Sequence, residues 1–246
     1  MDSIRGRAAS VLIGLATAFV VVAVVLPLFL NPVWVAFEQG RAQAAAWTGF
    51  SESELRGTTD SILADLVIGP PDFDVAVEGT PVLDERERGH MRDVRGVFIG
   101  FFAVALVLAL AALIVAARRR GAARTRTWNA VRGGAVALVA ALAVGGVVSL
   151  VAFDTLFEVF HEVFFAGGSY TFDPATERLV QLFPFQFWQE TAIVVGAVCV
   201  VLAAAVAVIA HGRAEAAVAA LGASPGRDGA IVDGTSPSAS AAGSPR

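Results

Sequence analysis

Residues 96–120 read GVFIGFFAVALVLALAALIVAARRR, a long run of apolar side chains that ends in three consecutive arginines. A bilayer core is crossed by about 20 apolar residues in a helix, and this run reaches that length without a charge. Three further segments have the same character, at 11–30, 133–153 and 191–211. None shows the alternation of apolar and polar residues that is typical of a membrane β-strand. The sequence therefore predicts an all-α membrane protein, a bundle of four transmembrane helices.

Composition supports a membrane protein and excludes several soluble classes. Of the 246 residues, 56% are hydrophobic, which is more than an ordinary soluble domain carries. The net charge of −4 is small, and no basic patch is interleaved with aromatic residues, so no nucleic-acid partner is expected. The one cysteine, Cys199, lies in the fourth apolar segment and is interpreted as a buried apolar residue. An intramolecular disulfide is therefore impossible.

The arginines predict the orientation, because short loops rich in arginine stay on the cytoplasmic side of the membrane. Arg5 and Arg7 precede the first apolar segment, and the connector at 118–132 holds six arginines, whereas the connector at 154–190 is acidic. We therefore expect a multi-pass plasma-membrane protein with both termini in the cytoplasm. The expected order is a cytoplasmic N-terminus at 1–10, a first span at 11–30, an extracytoplasmic cap at 31–95, a second span at 96–117, a cytoplasmic connector at 118–132, a third span at 133–153, an extracytoplasmic connector at 154–190, a fourth span at 191–211 and a largely disordered cytoplasmic tail at 212–246.

Two terminal segments need separate interpretation. The first span is read as a retained helix rather than a signal peptide, because its apolar run is spanning length and no small-residue cleavage site follows at Leu28 to Pro32. The end of the chain is rich in Gly, Ser, Ala and Pro, so it cannot bury enough apolar surface to order itself.

The segment at 31–95 has the signals of a small α/β cap. Apolar residues at helical spacing follow Thr59, a possible N-cap, and this helix is predicted to end at Gly69. Alternating apolar and polar residues at 73–78 then predict a strand. Asp84 and Glu87 have the spacing of a capping box, which predicts a helix that begins there and runs into the second span.

The connector at 154–190 is predicted to start as an extension of the third span. Phenylalanines between Phe153 and Phe165 form an aromatic stripe, and acidic residues recur every four positions on a neighbouring face. Gly167 to Ser169 is expected to end this helix, and Asp173-Pro174 to begin a short one that ends near Pro184. Trp188 is expected at the membrane interface, where the fourth span enters.

Only three histidines are present, and two of them fall on the same predicted side of the membrane. His90 and His161 lie at the outer mouths of the second and third spans, where packing of the four helices would bring them together. Ionisable groups at such a position are costly and often functional. His211 lies at the opposite end of the fourth span and is interpreted as an interfacial residue.

The sequence leaves three chemistries open for the histidine pair. Metal binding is one, because the segments 90–93 and 158–162 each place an imidazole and at least one carboxylate on shared helix faces. Acid–base catalysis is the second, with Glu87 or Asp93 orienting an imidazole that titrates near neutrality. A serine nucleophile is the third and weakest, since no G-x-S-x-G elbow is present.

Two signatures, ERGHMRDV at 87–94 and FHEVFF at 160–165, together with FDP at 172–174, carry a resemblance to a known family. In this order they resemble the bacterial integral membrane proteins that include the lipoprotein intramolecular transacylases. Two positions depart from that pattern. Tyr170 stands where the family often has tryptophan, and Phe185 follows Pro184 where the family commonly has an acidic residue.

The resemblance implies an enzyme that moves the sn-2 acyl chain of a diacylglyceryl lipoprotein to the α-amine of the N-terminal cysteine of that lipoprotein. Its partners would be membrane lipid and the lipoprotein substrate, its active site would face the extracytoplasmic side, and no cofactor would be needed. The implied site residues are His90 and His161 as acid–base catalysts; Glu87, Arg92, Asp93, Arg95, Glu158, Tyr170 and Asp173 in support; and Phe157, Phe164 and Phe165 in an acyl groove.

Two other classes of function stay open at this point. One is a metal-dependent membrane hydrolase that uses the same histidines and carboxylates. The other is a non-enzymatic membrane protein whose cap binds a partner and whose histidines sense pH.

Overall fold

The computed structural model describes residues 2–165 and 167–222, and four of its helices are long and apolar enough to cross a membrane. They are Ile4–Leu28, Glu85–Ala117, Ala122–Val151 and Phe185–Gly222, as expected for a multi-pass membrane protein. The first of them ends in a 3₁₀ turn at Leu26–Leu28. The elements in chain order are α1 (Asp2–Val25), α2 (Pro32–Arg41), α3 (Ala44–Thr48), α4 (Glu52–Val67), β1 (Ala76–Val77), β2 (Thr80–Pro81), α5 (Glu85–Ala117), α6 (Ala122–Val151), α7 (Phe153–Phe164), α8 (Arg178–Leu182) and α9 (Phe185–Gly222).

Helix α1 is the centre of the bundle, since it packs against α5, α6 and α9, while α6 also packs along α9. Glycine allows the closest approach: a Cβ atom added at Gly134 would lie 2.2 Å from the carbonyl oxygen of Gly14. Small residues at such crossings let membrane helices make close van der Waals contact. The outer faces of the spans are exposed and apolar, as at Val107 and Val201, which suits contact with lipid.

A second hydrophobic core lies in the cap, outside the bundle. Phe73 and Leu182 are completely buried there, beside Ile62 and Phe187. This core joins the segment before α5 to the segment after α7, two parts of the chain that are far apart in sequence. The two connectors on this side of the bundle therefore fold as one cap.

The cap is mainly helical, and the predicted strand is wrong at its first residue. β1 and β2 are two residues each and pair antiparallel, with Val75 extending the pair through a bond from the Val82 N–H to its carbonyl oxygen, 2.8 Å. Phe73 instead has a φ of +50°, because its N–H bonds the Asp65 carboxylate and its ring enters the core. The apolar residues at 73–78 alternate with polar ones because single side chains are buried in the cap core, and the segment does not form one continuous strand.

Helix starts in the cap follow capping chemistry. The predicted box at Asp84 and Glu87 is confirmed, and α5 runs unbroken from it into the second span. The predicted cap at Thr59 is wrong: α4 begins at Glu52, where Ser51 and Glu54 form the capping box, and Thr59 is buried in the middle of the helix. Asn31 caps α2, a helix that the sequence analysis did not predict.

The third span does not continue into an extension. Ala152 has φ −151° and ψ 45°, which ends α6, and α7 starts afresh at Phe153. The short helix predicted to start at Asp173-Pro174 is limited to α8, after a turn in which the Asp173 carboxylate accepts a bond from the Ala175 N–H. Helix α9 continues past the expected span to Gly222, so 212–222 is helical; the rest of the predicted disordered tail, 223–246, lies outside the described residues.

Polar side chains fasten α2 to the end of α8 and to the start of α9. Gln39 is buried and donates to the carbonyl oxygen of Leu182, 2.9 Å, and Arg41 forms an ion pair with Glu190. Glu38 is only 1% exposed. Burial is the main reason that the pKa of Glu38 is raised to about 7, and the hydrogen bond and charge of Glu190 add to it. The Glu38 carboxyl therefore keeps its proton to a higher pH in the folded protein than an exposed glutamate does.

Candidate active site

The two histidines that the sequence predicted to meet are in contact. His90 lies in the second turn of α5 and His161 near the end of α7, and their rings stack with centroids 5.9 Å apart and planes 23° from parallel. Both are buried, with 7% and 8% of their surface exposed. They lie where the bundle meets the cap, because α5 emerges from the bundle there and α7 turns away from α6.

A backbone contact sets the tautomer of His161. Its Nδ1 atom is 2.7 Å from the carbonyl oxygen of Phe157, and because a carbonyl only accepts, Nδ1 carries the hydrogen. In the neutral ring the lone pair is therefore on Nε2. Burial lowers the pKa of His161, and the bond to the Phe157 carbonyl only partly opposes this effect. A neutral His161 with a basic Nε2 is the form expected at neutral pH.

Aromatic rings surround the pair. Phe165 and Phe172 lie 4.8 Å and 5.4 Å from the His90 ring, and Phe157 and Tyr170 lie 4.2 Å and 5.1 Å from the His161 ring. Nδ1 of His90 is buried and makes no hydrogen bond within the described residues. Polar interactions made inside an apolar enclosure are stronger than in water. Nδ1 of His90 is thus available to a hydrogen-bonding group of a bound molecule.

Glu87, predicted to orient an imidazole, has another partner. It is 2% exposed, and its two carboxylate oxygens accept bonds from the backbone N–H groups of Leu179 and Asp84, each at 2.7 Å. The first of these bonds joins α5 to the start of α8, across 92 residues. Glu87 therefore clamps the cap onto the helix that carries His90.

The two arginines among the predicted supporting residues, Arg92 and Arg95, bind protein groups. Arg92 donates to the Glu85 carboxylate at 2.6 Å. Arg95 donates to the carbonyl oxygens of Asp65 and Gly69 and so closes the turn after α4. Both guanidinium groups thus have structural partners, and Arg95 is the more fully engaged.

The remaining predicted residues divide into two groups. Tyr170, Phe157 and Phe165 contact the histidine rings, as given above. Others are exposed: Asp93 and Glu158 at their helix surfaces, Asp173 in the turn before α8, and Phe164 at the last residue of α7. Across residues 2–165 and 167–222, no three His, Cys, Asp or Glu side chains come together as metal ligands would.

One arginine that the sequence analysis did not select reaches the site. Arg86 lies 4.5 Å above the Phe172 ring, donates to the Thr171 carbonyl oxygen at 2.7 Å, and forms an ion pair with Glu177. Phe172 in turn packs on His90. Arg86 therefore holds the loop that covers the histidines. No local signal marks it, because its partner Glu177 is 91 residues away in the chain.

Comparisons with known proteins agree with the signatures around the histidines. Residues 10–188 match the family model described as lipoprotein intramolecular transacylase Lit. The fold is similar to the crystal structure of the membrane integral lipoprotein intramolecular transacylase Lit from Bacillus cereus, with a TM-score of 0.68, 14% identity, and coverage of 89% of this chain and 98% of that one. Two variants of the same Bacillus cereus protein, in which one histidine is replaced by arginine or by alanine, match with TM-scores of 0.62 and 16% identity, over 89% of this chain and 94% and 96% of theirs. No curated protein gives a significant match.

Proposed function

The chain belongs to the Lit family of lipoprotein intramolecular transacylases, and from that membership we propose that it moves the sn-2 acyl chain of a diacylglyceryl lipoprotein onto the α-amine of the same N-terminal cysteine. The observation that carries the proposal is the stacked, buried pair of His90 and His161 inside an aromatic enclosure. The product is a lipoprotein with an N-acyl cysteine and a monoacylglyceryl thioether.

His161 is the proposed general base. An α-ammonium group has a pKa near 8, so a fraction of the substrate amine is already neutral at physiological pH. The neutral amine attacks the ester carbonyl carbon, and Nε2 of His161 takes the proton that the nitrogen loses as the amide forms. The Nδ1–H bond to Phe157 keeps that lone pair on Nε2.

His90 is the proposed general acid. When the tetrahedral intermediate collapses, the bond between the carbonyl carbon and the sn-2 glycerol oxygen breaks, and His90 donates a proton to that oxygen. That proton is the one that His161 took from the nitrogen, passed on to His90 through water. The pair therefore carries one extra proton at a time, and both rings are neutral again once the glycerol hydroxyl has formed.

Holding the substrate in a reactive conformation should account for much of the rate acceleration. Amine and ester belong to the same substrate, so orientation converts a flexible chain into a reactive pair and no covalent enzyme intermediate is required. The aromatic rings around His90 and His161 provide an apolar surface for the acyl chain. Phe157 and Phe165 are the proposed groove residues, because both rings touch a histidine.

The proposed orientation places the histidines on the extracytoplasmic face of a bacterial plasma membrane. The arginines of the connector between α5 and α6 lie at the end of the bundle opposite the cap, which would keep that end in the cytoplasm. Reporters fused after Arg120 and within Gly167 to Ser169 should read cytoplasmic and extracytoplasmic, respectively. The reverse pattern would refute the orientation.

Mass spectrometry of a lipoprotein N-terminus tests the reaction directly. Cells that express this chain in a host without such an activity should convert diacylglyceryl lipoprotein to the N-acyl, monoacylglyceryl form of unchanged total acyl content. Cells with His90→Ala or His161→Ala should not, at equal membrane levels, and His211→Ala should behave as wild type. A diacylglyceryl lipoprotein that stays unmodified in the presence of well-folded wild-type protein would rule the proposal out.

A further inference from the structure

Helix α7 has three distinct faces. At 100° per residue, Phe153, Phe157 and His161 share the face that points into the protein. Asp154, Glu158 and Glu162 share a second face, and all three are exposed. The third face carries a strip of exposed residues that are all apolar. We call it the apolar strip: Leu156, Val159, Phe160 and Val163.

The apolar strip continues a surface that faces lipid. Val147, Leu150 and Val151 at the end of α6 are exposed and apolar, on a helix that crosses the membrane. The strip begins five residues after Val151, and Val163, its last member, is 70% exposed. An exposed apolar patch of this size usually marks a surface that contacts a partner. Because the neighbouring apolar surface of α6 would contact lipid hydrocarbon, lipid is the expected partner of the strip as well.

The contacts of α7 show that it runs across the bundle end rather than along the bundle axis. Phe153 packs on Phe185 at the start of α9, with ring centroids 5.2 Å apart, and His161 packs on His90 in the second turn of α5. Both of those helices begin on the cap side. Since α7 connects their beginnings, its length lies near one depth in the membrane.

Two features fix that depth at the membrane interface. Trp188 is 40% exposed and lies beside the Phe157 ring, and tryptophan prefers the boundary between hydrocarbon and water. The exposed carboxylates of Asp154, Glu158 and Glu162 cannot enter hydrocarbon, so the second face must stay in water. An amphipathic helix with these two faces is typical of a segment that lies in the interface plane.

We propose that the apolar strip of α7 is immersed in the acyl chains of the cap-side leaflet, with the acidic face in water and His161 at the depth of the lipid ester groups. The partner of this surface is phospholipid. One consequence rests on the proposed function: the acyl chain of the substrate reaches the histidines along the same edge, past Phe160, whose ring lies 5.4 Å from His161 and 6.0 Å from Phe165.

Fluorescence quenching in nanodiscs tests the immersion without any turnover. An environment-sensitive label is attached to Val163→Cys or to the neighbouring Glu162→Cys, in discs of phosphatidylcholine that contain a fraction of lipid spin-labelled near the ester. The label at 163 should be quenched several-fold more strongly by the spin-labelled lipid than the label at 162, and aqueous iodide should quench in the opposite order. Wild-type protein is the labelling background, since Cys199 is buried.

A second matched pair, Val159→Cys and Glu158→Cys, keeps the test decisive where a 162 or 163 variant fails to fold. The same order of quenching at this pair supports the proposal. Equal quenching at strip and acidic positions would overturn it, because the strip would then face water. Strip labels that resist both quenchers would also overturn it, because another protein surface would then cover the strip. Neither result depends on whether the chain transfers acyl groups.

Discussion

Replacing His161 with asparagine separates its chemistry from its packing. The asparagine amide nitrogen can occupy the place of Nδ1 and donate to the Phe157 carbonyl oxygen, as the imidazole does at 2.7 Å. The substitution removes Nε2, the proposed base. His161→Asn is therefore the matched variant for His161→Ala, which loses both the bond and the base.

The expected magnitudes come from the contacts of the ring. One intramolecular hydrogen bond contributes about 0.5–1.5 kcal/mol to stability. His161→Ala should lose the stability that the bond to Phe157 contributes, whereas His161→Asn should keep most of it. Both variants leave a gap among the rings of Phe157, Phe165 and Tyr170. Loss of positioned acid–base catalysis should lower the rate about 10²- to 10⁴-fold in both, which corresponds to roughly 2.7–5.4 kcal/mol in the barrier.

The assay is conversion of a purified diacylglyceryl lipoprotein in mixed micelles, followed by mass spectrometry, with thermal unfolding measured on the same samples. His161→Asn should be more stable than His161→Ala and equally inactive. Adding His90→Ala should lower the rate little further, because residues that act as one unit are not additive. His211→Asn is the control, at an exposed histidine that pairs with Glu215. Activity that recovers with stability in the asparagine variant would show that His161 is structural.

Three further predictions concern the fold. Glu87→Ala removes two bonds from a buried carboxylate to backbone N–H groups, and at about 1.5–3 kcal/mol each it should lower the free energy of unfolding by roughly 3–6 kcal/mol; a loss under about 1 kcal/mol in denaturant titration would contradict the clamp. Gly134→Ala should cost about 1–3 kcal/mol or more, because its Cβ would meet the Gly14 carbonyl oxygen at 2.2 Å, while Gly133→Ala meets nothing within 4 Å; equal melting temperatures for the two would contradict this. Glu38 binds its proton more tightly in the folded state, with a pKa of about 7 against 4.5, so the stability it contributes is complete below about pH 4.5 and is lost as the pH rises through about 7. Glu38→Gln cannot ionise and should remove this loss of stability. A melting-temperature difference between Glu38→Gln and wild type that is the same at about pH 5 and pH 8 would contradict the prediction.

Much of the architecture was predictable because its signals are local. A run of about 20 apolar residues identifies a membrane helix without reference to the rest of the chain, and all four were found this way. The capping box of Asp84 and Glu87 also lies within one turn, so the start of α5 was predicted correctly. The equivalent box at Ser51 and Glu54 carries the same local signal, and it rather than Thr59 begins α4.

The histidine pair was predictable in part. His90 and His161 belong to family-like signatures at the same predicted end of the bundle, and helices that end together bring such residues near one another. The sequence did not reveal that Glu87 would bind Leu179, or that Arg86 would bind Glu177, since these partners are about 90 residues apart. Their pairing depends on how the two connectors pack into one cap.

The amino-acid sequence by itself determined that this chain has four helices able to cross a membrane and that α5 begins at the capping box of Asp84 and Glu87, because hydrophobic length and capping are properties of short segments. Only the tertiary structure decided which way α7 turns after Ala152, and so which of its three faces meets His90 and which two are exposed. Periodicity defines the faces of a helix but not its rotation about its own axis. That rotation is set by the rings of Phe185 and Trp188, which pack against α7 from another helix.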